Sequence, residues 1–294
     1  MRIDVFLHQK FPEQTRGFWQ RRIREGAVKI NGKMVKSSHE AIKGDEKIEM
    51  EDIQEKKVPQ KKSSTQDVAI PFSVMFEDKD LMVIDKPAGV AVHPPSPMKT
   101  ILDSIQETEP AAKLVHRLDK DTSGILVLAK SEAMHAKLSQ QWKERKVEKQ
   151  YLALVRGRFE VSEGAIEAPI RRSIKDRKKM AVSSRPGSRP AVTKFKVQET
   201  FRDVSLIQAF PKTGRTHQIR VHFESIGHPI VGDHVYGDSK LNKKFEQQFG
   251  LKRQFLHAEK LSFVHPRTQK KLEFTAKIPG DLQGVVDGLE KQRS

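Results

Sequence analysis

The chain has 294 residues, with 55 Lys and Arg against 38 Asp and Glu, a formal charge of +17, and no cysteine. The basic excess points to a polyanionic partner, nucleic acid before membrane, and the lack of cysteine excludes a disulfide scaffold, a thiolate nucleophile and any Cys-ligated metal or iron–sulfur site. The start, MRIDVFLHQKFPEQTR, has no apolar core of a secretory signal, and no apolar run approaches the ~18 residues of a spanning helix, so a cytoplasmic protein without membrane attachment is expected.

The length suggests two domains. In the first fifty residues, Trp19 and Ile23 fall on one helical face while Arg21 and Arg24 share another, with Arg16 just ahead and Gly26 as terminator. Val28-Lys29-Ile30 alternates, Asn31-Gly32 makes a hairpin turn, Met34-Val35 returns, and Gly44-Asp45 turns again before Ile48. Residues 1–50 thus form a small α/β domain built from a basic helix and a small sheet. The stretch EDIQEKKVPQKKSSTQD has only Ile53 and Val58 as aliphatic side chains and cannot bury enough to fold alone. It makes residues 51–68 a linker and 69–294 one large domain.

That large domain opens with Phe72-Val74-Phe76, a polar turn and Leu81-Val83, a hairpin pattern. Ile125–Ala129 is an apolar strand, and Ser131 is placed to cap a helix carrying Met134, Leu138 and Trp142 on one face. Tyr151–Val155, Lys194–Val197, Val204–Ala209 and Leu261–Val264 read as further strands. Strands outnumber helices, so the fold class expected is α+β, a mixed and largely antiparallel sheet carrying a few helices.

Three constellations carry chemistry. In His116-Arg117-Leu118-Asp119-Lys120-Asp121-Thr122-Ser123-Gly124, a carboxylate sits among cations at a turn, an arrangement that favours the ionised form able to act as nucleophile or base. In Thr213–Phe223, a helix fits better than a strand: Ile219, Phe223 and Ile226 line up, Thr216 is placed to cap and Gly227 to end it, and Arg220 projects beside the apolar face with Glu224 one turn on. His217 and His222 lack metal-ligand spacing. Asp85-Lys86-Pro87-Ala88-Gly89 makes a stiff loop after a strand, but it is not a phosphate loop, and neither a dinucleotide motif nor a nucleophile elbow is present.

HRLDKDTSG resembles the central motif of the RluA-type pseudouridine synthases, DKPAGVAVHP resembles their first motif, and KQYLALVRG, PIRRSIKDRKKMAV and TGRTHQIRVHFESIGHPIVGDHVYG follow in order, across roughly residues 70–280. Residues 2–50 resemble the small RNA-binding domain first known from ribosomal small-subunit protein four. The resemblance implies isomerisation of a uridine within RNA, without net oxidation or group transfer, so neither cofactor nor metal is expected. It implies that Asp119 is the essential carboxylate, that Arg220 pairs with it, and that Tyr151 stacks on the uracil with its hydroxyl available to assist proton removal from carbon 5. Arg117 matches the residue that enters the vacated base stack. Large-subunit ribosomal RNA is the expected substrate and transfer RNA the alternative; an inactive RNA-binding or assembly factor and a synthase of the neighbouring RsuA type are the other readings.

The remaining basic charge is placed on RNA. Residues 171–190 hold eight basic side chains against one acid, Asp176. So dense a run beside an RNA-modifying core reads as a phosphate-tracking loop through Arg172, Lys175, Lys178 and Lys179. Arg215, Arg16, Arg21 and Arg24 join it as expected RNA contacts. A monomer is expected.

Overall fold

The computed structural model describes residues 1–292 apart from 12, 13, 15, 36, 43–45, 51–69, 95, 97, 175, 177 and 178. The chain divides into two compact units, Met1–Asp67 and Val68–Ser294. The 51–68 linker and the Gly44-Asp45 turn read from the sequence lie outside the described residues, apart from the split itself.

The first unit packs α1 (Ile3–Lys10) and α2 (Arg16–Arg24) on a three-stranded antiparallel sheet of β1 (Val28–Ile30), β2 (Lys33–Met34) and β3 (Ile48–Met50), in the order β2-β1-β3. Trp19 and Ile23 are buried together with Ile3 and Leu7 of α1 and with Val28. The helix ends at Gly26 in the left-handed conformation, and Asn31 and Gly32 both have positive φ, as a two-residue hairpin turn requires. The sequence pattern does not single out α1. Its Asp4 is buried and accepts hydrogen bonds from Arg2, Arg16 and Gln20.

The second unit runs β4 (Ser73–Glu77), β5 (Leu81–Lys86), α3 (Ile101–Gln106), β6 (Lys113–Leu114), β7 (Ser123–Ala129), α4 (Glu132–Lys143), β8 (Glu148–Arg156), β9 (Glu163–Glu167), β10 (Ile170–Arg172), β11 (Met180–Val182), β12 (Val192–Thr200), β13 (Val204–Pro211), α5 (Gln218–Ser225), α6 (Ser239–Phe249), β14 (Leu256–Val264), β15 (Lys271–Thr275) and α7 (Gly280–Lys291). The main sheet has the order β4-β5-β7-β14-β8-β13-β12-β9, with β15 on β14 and β6 on β7. Its described pairings are antiparallel except β7 with β14. This is the mixed, largely antiparallel sheet of an α+β domain.

Alternation along β8 sorts the two faces. Ala153 and Val155 pack with Ile219 and Phe223 of α5, and Tyr151 borders the same cluster. Leu152 and Leu154 face the other way, against Phe245 of α6 and Leu282 and Val285 of α7. Helix α4 begins as expected, with Ser131 accepting from the Met134 amide. Helix α5 differs in detail. Its N-cap is His217, not Thr216, and the helix ends at Ser225, which leaves Ile226 exposed instead of on the apolar face.

The parallel contact positions the HRLDKDTSG loop. Gly124 of β7 and Tyr151 of β8 both pair with Ala258 of β14, one from each side. A Cβ on Gly124 would lie 2.2 Å from the Ala258 carbonyl oxygen, and its φ is +112°. Only glycine allows β7 so close to β14, and this contact sets the end of the loop level with the tyrosine, with β14 between them.

Candidate active site

Asp119 sits four residues before β7, in a turn closed by the Thr122 amide on its carbonyl. The turn is staked by the DKPAG segment. Lys86 is fully buried, and its Nζ donates to the carbonyls of Pro87, Val90 and Lys120 at 2.6, 3.0 and 3.0 Å. The Gly89 amide also bonds the Lys120 carbonyl, and Gln254 donates to Thr122. Burial pushes the Lys86 amine down to about 7. Three carbonyl acceptors match the three donors of the protonated amine. The Lys of this motif therefore serves the loop from behind, not the substrate.

Arg220 meets Asp119 from α5. Its Nη1 donates to Asp119 Oδ2 at 2.9 Å. The same guanidinium is held by Asp233 through Nε at 2.6 Å and Nη2 at 2.9 Å, and the Tyr236 ring lies 5.0 Å from its centre. Burial works against the charge on Arg220, but Asp233 and Asp119 outweigh it and push its pKa up. Burial likewise opposes ionisation of Asp233, but Arg220 and the Val235 and Tyr236 amides bring it below the usual carboxylate range. Local sequence spacing offers Glu224 as the partner of Arg220. The structure replaces it with two aspartates, 101 residues upstream and 13 downstream.

These groups open on one cavity of about 240 Å³, whose wall includes Arg117, Asp119, Tyr151, Arg215, His217 and Arg220. That lies near the lower end of small-ligand sites, about 300 Å³. Burial, with the Asp119 charge added, pushes the Tyr151 phenol up, so it stands in the resting site as a neutral ring with an O–H. The wall also includes His116, Trp142 and Lys149. His116 does not face Asp119, as its place in the motif suggests. Its Nε2 accepts from the Val127 amide and its ring stacks on Trp142, while burial and Lys149 push its pKa down to about 3. Burial, with Lys212 and Arg145, pushes Lys149 down to about 8.

Two family models match the chain: RNA pseudouridylate synthase over residues 80–225 and S4 domain over residues 1–48. A ribosomal large subunit pseudouridine synthase C of Vibrio vulnificus is 38% identical over 299 residues, covering 99% of this chain and 94% of its own. The chain belongs to the RNA pseudouridylate synthase family. A ribosomal large subunit pseudouridine synthase D of Xanthomonas campestris is also 38% identical, covering 99% and 89% of the two chains. Among solved structures, human RNA pseudouridylate synthase domain containing 4 superposes with a TM-score of 0.62 at 28% identity, over 74% of this chain and 93% of that one. The chain is thus a pseudouridine synthase with an S4 domain ahead of its catalytic unit.

Of the residues expected in the synthase site, Asp119, Tyr151, Arg220, Arg117 and Arg215 come together around the cavity. Arg215 also donates to the Pro190 carbonyl. Arg172 is an exposed residue of β10. Lys179 donates to the Val235 carbonyl, next to the Asp233–Tyr236 turn. Lys175 and Lys178 lie outside the described residues. In the first unit, Arg21 and Arg24 are exposed on α2, Arg24 donates to the Gln20 carbonyl, and Arg16 is engaged with Asp4. Sequence reasoning missed Asp233, Tyr236 and His217. The signal for Asp233 was an acid enclosed by Gly232 and Gly237 in the quoted VGDHVYG stretch.

Among the described residues, Asp78, Asp80 and His265 form a group with metal-ligand proximity, but its atoms are committed. Arg267 takes both Asp80 oxygens, His265 Nε2 bonds Asp78 Oδ2, and Nδ1 accepts from the Arg267 and Thr268 amides. This clamp ties the β4–β5 turn to the β14–β15 turn.

Proposed function

We propose that the cavity converts a uridine of large-subunit ribosomal RNA to pseudouridine, with Asp119 as the essential carboxylate, Arg220 as its partner and Tyr151 as the stacking aromatic. The single observation that carries this reading is the Asp119–Arg220 contact at 2.9 Å beside Tyr151 in one cavity. The chain's relatives among the ribosomal large subunit pseudouridine synthases support the choice of RNA. The target base must leave its stack, at a cost of a few kcal/mol. Arg117, exposed at the rim, is suited to fill the gap, and Tyr151 to stack on the extruded base.

In the reaction the bond from uracil N1 to ribose C1′ breaks, the base turns, a bond from C5 to C1′ forms, the C5 proton goes to solvent, and N1 takes up a proton in its place. Arg220 holds Asp119 Oδ2, which leaves Oδ1 as the oxygen to add to the nucleotide or remove its proton. The raised pKa of Tyr151 favours stacking and hydrogen-bond donation over action as a phenolate base on C5. The exposed arginines of α2 and the basic residues 171–190 hold RNA phosphates.

The test is tritium release from C5 of labelled uridine in ribosomal RNA transcripts, since product and substrate share one mass. It is joined by mapping of pseudouridines in total RNA from cells with and without the gene. Sites lost only from large-subunit RNA support the substrate assignment, and sites lost from transfer RNA instead overturn it.

A further inference from the structure

The cavity wall beside Asp119 carries an imidazole to which the reading above gives no role. His217 has φ 55° and ψ 20°, a left-handed conformation that side-chain-bearing residues seldom occupy. Its neighbour enforces it. The Gln218 side chain accepts from Thr213 Oγ1 and the Arg215 amide and donates to the Val192 carbonyl and Thr193 Oγ1, which fixes the turn into α5. An outlier held this firmly at a reaction centre is a sign of function.

Hydrogen bonds around the ring assign its protons. The Met180 amide donates to Tyr236 Oη at 2.7 Å, and His217 Nδ1 lies 2.9 Å from the same oxygen. With its oxygen already accepting, Tyr236 has its own hydrogen free to give to Nδ1. In a neutral imidazole the proton then sits on Nε2. Nε2 lies 4.0 Å from Asp119 Oδ1, the oxygen that Arg220 leaves open. That is too long for a direct hydrogen bond, so the Nε2–H is not spent on Asp119 and is available to a nucleotide atom in the cavity that both residues line.

We propose that His217 is a further residue of the reaction centre: a neutral imidazole whose Nε2–H donates to the target nucleotide beside Asp119, with Tyr236 as the positioning residue that fixes its tautomer. This rests on the pseudouridine synthase reading of the cavity. When the N1–C1′ bond breaks, its electron pair goes to the uracil, and a fixed neutral donor stabilises that charge without giving up its proton. The groups facing the ring agree with a neutral form. Burial lowers its pKa, Asp119 and Asp233 raise it, and Arg220 and Arg117 lower it, with the net shift downward. Tyr236 behind it is kept protonated chiefly by burial, and Lys179 lies 6.0 Å from the Tyr236 ring centre.

The full chain labelled with ¹⁵N-histidine reports the tautomer directly in long-range proton–nitrogen spectra, with His217 assigned by its loss in His217→Asn. The spectra should show Nε2–H at neutral pH in the wild type and mixed tautomers or imidazolium in Tyr236→Phe, which keeps the ring under Arg220. Nδ1–H or imidazolium in the wild type overturns the proposal whether or not the chain is active. Tritium release at saturating RNA tests the role. Asn tolerates the left-handed backbone, so His217→Asn should fold, lose about 10²-fold in turnover and keep its RNA affinity. Tyr236→Phe should lose less, with its acidic limb moved to higher pH, because removing the donor to Nδ1 favours imidazolium. Unchanged turnover in His217→Asn, or an unmoved limb in Tyr236→Phe, overturns the proposal. Full activity in Asp119→Asn would instead overturn the reading on which it rests.

Discussion

Asp233 grips Arg220 through both carboxylate oxygens, at 2.6 and 2.9 Å, and so leaves Nη1 as the part of the guanidinium that reaches Asp119. The Val235 and Tyr236 amides also bond Asp233 Oδ1, which holds the carboxylate rigid. Arg220 is therefore aimed from the rear. Asp233→Asn removes a fully buried charge from this set and should cost about 3–5 kcal/mol, as expected when one partner of a buried pair is lost. Urea unfolding measures that loss, and tritium release from the folded variant should fall with it. Unchanged stability and turnover would mean that Asp233 does not support Arg220.

Asp4 makes the first unit sensitive to acid. Burial pushes its carboxyl up, but Gln20, Arg2 and Arg16 outweigh it and bring it down to about 2. A carboxyl whose folded pKa lies below its unfolded value stabilises the fold above the unfolded pKa, and that stability is lost as pH falls through the folded value. The window is from about pH 4 to about pH 2. Asp4→Asn should remove about 1–2 kcal/mol at neutral pH, with allowance for solvent screening, and flatten the acid dependence. Hydrogen exchange of the α1 and α2 amides checks this, and an equally acid-sensitive variant would contradict it.

The basic segment makes a salt-dependence prediction. Replacing Arg172, Lys175 and Lys178 with Gln should reduce the slope of log K against log salt by about 2 to 3, at about 0.7–0.9 per phosphate contact. Lys179 is left in place because it bonds the Val235 carbonyl. Filter binding over a salt series measures the slope, and an unchanged one would make the segment a solvated face.

Gly124→Ala puts a methyl 2.2 Å from the Ala258 oxygen at a φ of +112°. Backbone strain alone costs about 1–3 kcal/mol, and the clash forces β7 from β14. Thermal unfolding of the catalytic unit should fall sharply. A variant as stable as the wild type would mean that the strands can part without loss.

Most of the strands and the motif helix were legible because their patterns are local. The alternation in Phe72–Val83 marked the hairpin, and Trp19 with Ile23 marked the buried face of α2. Resemblance supplied the Asp119–Arg220 pair, which no local spacing reveals across 101 residues. Local reasoning paired Arg220 with Glu224 instead. A Thr216 cap is the local expectation, but the Gln218 side chain sets the turn instead, bonding Thr213 and Arg215 nearby and Val192 and Thr193 far upstream. Asp233 and Tyr236 were missed because their roles exist only when the 230–237 turn closes on α5 and β11.

The most direct test of the account is tritium release from C5 of uridine by Asp119→Asn, measured with an RNA-binding isotherm. The substitution keeps the side-chain shape and its contact with Arg220 within reach, but an amide is neither a useful nucleophile nor a base. Turnover should be abolished while RNA binding is retained or tightens, since a repulsion with phosphate is removed. Near-normal turnover in Asp119→Asn would contradict it.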